Sequence, residues 1–113
     1  MSLLFLLTTI ALSSTMCGSA ADHKGIVAAI KRHDHASGTV YPTTIVGNYA
    51  DASVTTGNAS ESVLLVKKNG SWTVLAAGGG TYDAGSMKRY GIPAPTATKL
   101  ARLVQQAVCA APD

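Results

Sequence analysis

The side chains able to do chemistry in this chain are few and scattered. His33-Asp34-His35 sets two imidazoles beside a carboxylate, groups that bind metal or move protons. Residues two apart do not share a helix face, so this trio converges only where the backbone turns, and no third ligand adjoins it. His23 offers a second metal chemistry. A cut after Ala20 would leave it third from a free amine. That amine, two deprotonated amides and the imidazole make a square-planar nitrogen set for Cu(II) or Ni(II). A cut after Ala21 places His23 second and removes the set.

Gly78-Gly79-Gly80 follows a strand-like segment and precedes a helical one, where phosphate cradles sit. No Lys follows at the P-loop position and the dinucleotide spacing is missing, so backbone geometry is the simpler reason for these glycines. No Ser stands in a Gly-x-Ser-x-Gly elbow. Tyr49, Asp51, Tyr82 and Asp83 are the polar groups available to a pocket between sheet and helices. Trp72 follows a hairpin turn and reads as core before it reads as a ligand platform. The expected binding residues are therefore Tyr49, Trp72, Tyr82 and Asp83, with His23 the metal candidate. No catalytic residue and no cofactor are expected.

The elements that must position these groups begin after an apolar leader. Met1–Ala21 carries no charged side chain, with Leu3-Leu4-Phe5-Leu6-Leu7 and Ile10-Ala11-Leu12 as its apolar part. Gly18-Ser19-Ala20-Ala21 follows, just before Asp22. This is the layout of an export signal, cut after Ala20 or Ala21, and it is too short and too interrupted for a membrane span. The expectation is a signal peptide over 1–21 and one small domain over 22–113, periplasmic or secreted. Cys17 would leave with the signal, and Cys109 would remain as a lone buried thiol or an intermolecular disulfide partner. A lipid anchor on Cys17 is disfavoured, because Ser14-Thr15-Met16 lacks the bulky apolar and small residues of such signals.

Beyond the signal the pattern is α+β. His23–His33 reads as a helix on Ile26, Val27 and Ile30, capped by Asp22. Thr43–Thr56, rich in β-branched residues, reads as one long strand kinked at Gly47. Ser62–Lys68, with the dense run Val63-Leu64-Leu65-Val66, is a second strand, and Trp72–Ala77 a third. Asn69-Gly70 joins these two as a type I′ turn. Tyr82–Tyr90, with Asp83 as cap, and Thr96–Val108 are two closing helices. The expected fold is an N-terminal helix, a three-stranded antiparallel meander and two C-terminal helices, with helices covering one face of the sheet.

Composition narrows the function classes. About 92 residues after the signal make one small domain. The net charge is +3, and Lys31-Arg32, Lys67-Lys68 and Lys88-Arg89 are dispersed pairs, which is no nucleic-acid footprint. Contact with a membrane is expected only through the signal peptide or a Cys17 anchor.

Gly47-Asn48-Tyr49-Ala50, followed by Leu64-Leu65-Val66-Lys67-Lys68-Asn69-Gly70-Ser71-Trp72-Thr73-Val74-Leu75, resembles the strand pair of many small exported bacterial proteins with cystatin-like or NTF2-like folds. Gly91-Ile92-Pro93 before the last helix is similar to an element of some of them. The resemblance covers roughly positions 44 to 103 and its motifs are structural. It implies a fold and an exported location and carries over no functional residue. The resulting expectation is an exported binding or inhibitory module for an unidentified protein or small ligand. A small hydrolase or isomerase with a sheet–helix pocket is the alternative, and metal handling through His23 is a third.

Overall fold

The computed structural model of the protein describes residues 16–34 and 38–110, leaving out the Asp34 side chain. Helix α1 (Ala20–Asp34) is followed by strands β1 (Thr39–Val46), β2 (Tyr49–Thr56), β3 (Ala59–Lys68) and β4 (Ser71–Gly79). Helices α2 (Ala84–Arg89) and α3 (Ala94–Gln105) close the chain. The strands form one antiparallel sheet in the order β1-β2-β3-β4.

The fold is α+β, but the meander has four strands where three were expected. The segment expected as one long strand is a hairpin. Val46 pairs with Tyr49, so Gly47-Asn48 is a two-residue loop, and Gly47 has φ +61°. A Gly at the first central position with positive φ is the type II′ geometry, whose twist matches the flanking strands. Gly57-Asn58 repeats the arrangement between Thr56 and Ala59. Asn69 and Gly70 both have positive φ, as the type I′ turn requires. Pro42 lies on the edge strand β1, where the register shifts between Val40 and Thr43. An edge or a bulge is where a residue without an amide hydrogen is tolerated.

Helices cover both faces of the sheet, a second departure. Side chains alternate across a strand, so neighbouring residues serve opposite cores. Val63 and Leu65 join Ala50, Ala52, Val54 and Trp72 against Ile26, Ala29 and Ile30 of α1. Leu64 joins Met87, Ile92, Ala97 and Leu100 from the α2–α3 side. The continuous burial of Val63 to Val66 follows from this two-sided cover. Gly25 allows α1 to approach closely: a Cβ there would lie 3.0 Å from Trp72 Cδ1.

Residues 16–21, assigned to the signal peptide by the sequence reading, make contacts with the rest of the described fold. The Ile45 amide on the outer edge of β1 donates to the Met16 carbonyl at 2.7 Å. Ser19, not Asp22, caps α1: its Oγ accepts from the Asp22 amide at 3.1 Å, and its own amide and hydroxyl donate to Asp22 Oδ2 at 3.5 and 3.2 Å. That reciprocal pattern satisfies orphan donors of the first turn, so the helix starts at Ala20. Cys109 is neither a free thiol nor an intermolecular partner, because it forms a disulfide with Cys17 across a Cα–Cα distance of 5.4 Å. Helix α3 ends at Gln105 rather than Val108; Ala107 has φ +54° and Val108 is exposed. The turn at Ala107 brings Cys109 round to the β1 edge.

Candidate functional site

A concavity of about 750 Å³ lies between the turn after β4 and the outer face of α3. Its wall on one side is Thr81, Tyr82, Asp83 and Ala84, and on the other Thr98, Ala101, Arg102, Val104 and Gln105. Ala84, Ala101 and Val104 give it apolar surface, while the Arg102 guanidinium, the Gln105 amide and the Tyr82 phenol supply polar groups. Ligand seats are built in this manner, with apolar area for affinity and a few polar groups for orientation.

Local chemistry fixes both walls. Asp83 caps α2 by accepting the Ser86 amide at 2.8 Å, as its position before a short helix suggested. That amide, then the Ser86 hydroxyl, holds the Asp83 carboxyl below its usual pKa against a small opposing effect of desolvation, with Arg89 adding to the lowering. Tyr82 packs edge-to-face on Tyr90, with ring centroids 5.9 Å apart and planes at 84°. Burial pushes the Tyr82 phenol up, and Tyr90, Asp51 and Glu61 push in the same direction. On α3, Ala97, Leu100 and Leu103 face the core. Thr98, Arg102 and Gln105 therefore fall on the outward side at helical spacing.

Of the expected binding residues, Tyr82 and Asp83 come together in this groove. Tyr49 shares the sheet face but packs into the core cluster and does not line the groove. Trp72 is on the opposite face, buried beneath α1, where its indole donates to Asp22 Oδ1 at 3.4 Å. Lys67 donates to the same oxygen at 3.1 Å and lies 5.7 Å from the Trp72 ring centre. Desolvation works to raise the Asp22 pKa, but the Lys67 bond and charge, the Ser19 amide and the Trp72 indole outweigh it and hold the carboxyl low. Trp72 is thus a core anchor with a polar tether.

His23 is exposed on α1 beside a smaller hollow of about 290 Å³ that Tyr41, Thr43 and the disulfide also line. Its amide donates to the Ser19 carbonyl at 3.0 Å, so that nitrogen is engaged while the chain keeps Ser19, and the metal set depends on the cut after Ala20 that removes this partner. Of His33-Asp34-His35, His35 and the Asp34 side chain lie outside the described residues. Among the described residues, no group of three or more His, Cys, Asp or Glu is placed to hold a metal ion.

Arg102 and Gln105 are polar residues of the last helix. Their spacing placed them on one face, but nothing in the sequence showed that this face borders a groove. Asp51 is the reverse case. It stands between Ala50 and Ala52 with 3 % exposure, and its Oδ2 has no hydrogen-bond partner. Desolvation raises its pKa to about 7. It shares the sheet face with Leu64 and Tyr49 but lines none of the groove.

No described helix is long and apolar enough to cross a membrane. No protein-family model, no curated protein and no solved structure matches this chain.

Proposed function

We propose that this chain is an exported, non-catalytic binding module whose ligand seat is the groove between Tyr82–Ala84 and the outer face of α3. The observation that carries this reading is the groove itself: about 750 Å³, open to solvent, with apolar surface beside a guanidinium and an amide. Its chemistry suits a small ligand, or a protruding side chain of a partner protein, that joins an apolar body to a carboxylate. The body would lie on Ala101 and Val104, and Arg102 would take the carboxylate in its planar fork. Among the described residues, the carboxyl that burial raises to about 7, Asp51, stands off the groove wall, and this favours binding over hydrolase or isomerase chemistry. An intramolecular disulfide accords with an oxidising, extracytoplasmic setting.

The test is an amide-shift NMR titration with benzoate and indole-3-acetate as probes. Saturable shifts should map to Tyr82, Ala101, Val104 and Gln105. Arg102→Ala should weaken binding about tenfold, equivalent to about 1.4 kcal/mol. Because Arg102 is exposed, its melting temperature should match that of the parent. Shifts confined to a separate hollow of about 250 Å³ between α1 and β4, lined by Arg32, Trp72 and Val74, or no saturation by either probe, would overturn the assignment.

A further inference from the structure

We propose that proteolytic processing of this chain falls upstream of Met16, after Ser13 or Thr15, so that the exported domain keeps Cys17 and closes on Cys109. The inference rests on the export part of the reading above and is independent of what the groove binds.

Five contacts tie residues 16–22 to the body of the fold. The Met16 carbonyl takes the free Ile45 amide on the edge of β1. Cys17 is bonded to Cys109. Gly18, at φ +82°, lies so near Ile45 that an added Cβ would meet its side chain at 3.0 Å. Ser19 caps α1. Asp22 in its first turn bonds Lys67 and Trp72 on the sheet. A cut after Ala20 or Ala21 would remove the first four of these, uncap α1, expose the β1 edge and leave Cys109 unpaired. Unpaired strand edges and orphaned helix donors are liabilities that a folded domain covers.

The sequence upstream supplies another site. The apolar stretch Leu3–Leu12 is ten residues long, within the length range of a signal core. Small residues in the small-x-small arrangement follow at once: Ala11 and Ser13 before Ser14, then Ser13 and Thr15 before Met16. Hydrolysis at either place adds water across one peptide bond, hydroxyl to the carbonyl carbon and proton to the new amine. The two thiols then give up two protons and two electrons to a disulfide-bearing exchange partner of the exported compartment, which leaves as its dithiol. A thioether lipid anchor would need the same Cys17 sulfur, so the disulfide and the anchor exclude each other.

The experiment is intact mass of the chain recovered from the exported fraction of its host, with a thiol count by maleimide after denaturation and reduction. A start at Ser14 or Met16, with two maleimides added only after reduction, is the expected result, and a start at Cys17 would overturn it because Met16 would be lost. A start at Ala21 or Asp22, with one maleimide, would overturn the proposal while leaving export intact. Diacylglycerol on Cys17 would overturn it equally. An uncut chain in the exported fraction would show that no processing occurs. An uncut chain found only inside the cell with both thiols free would sink the export reading itself.

Discussion

Asp51 is the residue where burial and charge are most at odds. Its carboxyl sits on a strand between two alanines, sealed under the α2–α3 layer, with one oxygen unpartnered. Desolvation favours the neutral acid and raises its pKa from 3.8 to about 7. The sign follows from linkage: a group with a raised folded pKa contributes fully below its unfolded pKa and loses that contribution as pH rises through the folded one. Stability should therefore decline from about pH 4 to about pH 7 and level off above. Asp51→Asn removes the titration and should flatten that slope. It should stabilise the fold at pH 8 by about 1–3 kcal/mol, the usual scale for a poorly satisfied buried polar group. Urea titrations at stepped pH would measure both, and an unchanged slope in the variant would show that another group titrates. The same residue illustrates what was legible: the sequence offers Asp51 as a polar group for a pocket between sheet and helices, but its sealing depends on α2 and α3, distant in sequence.

At the scale of elements, turn chemistry divides the sheet. Gly47 at φ +61° is the first residue of a two-residue hairpin loop. Gly47→Ala forces a side chain into that left-handed region and should cost about 1–2 kcal/mol, read as a lower chemical-denaturation midpoint at unchanged slope. A destabilisation well below that range would mean that the loop relaxes into another turn type. Asn69-Gly70 was recognised as a turn because both residues accept positive φ. Gly47-Asn48 is an equally good signal for the type II′ form, yet the β-branched residues on both sides made it resemble a kink in one strand. That reading put three strands where the chain makes four. The helices were legible from apolar spacing and caps, with Asp83 the clearest case. Their ends were not, because Ser19 competes with Asp22 as cap and the turn at Ala107 interrupts an apolar face that the sequence extends to Val108.

For the whole molecule, the decisive bond is Cys17–Cys109. It joins the segment before α1, on one face of the sheet, to the segment after α3, on the other, passing around the β1 edge. It spans 92 positions of sequence. Closing a loop of that length removes much unfolded-state entropy, so Cys109→Ser should cost about 3–5 kcal/mol and lower the melting point accordingly. Reduction of the parent protein should reproduce that loss, and a melting point indifferent to reductant would mean that the bond contributes nothing. The sequence alone determined an apolar leader, an antiparallel meander with helices, a core Trp and a mild charge unsuited to nucleic acid, because composition, side-chain period and turn chemistry are local properties. Only the tertiary structure decided which helix covers which face, that Cys17 reaches Cys109, that residues 16–22 contact β1 and the sheet, and that Arg102 and Gln105 border a groove. Those outcomes depend on contacts between residues far apart in the chain, and local pattern carries no record of which distant surfaces will meet.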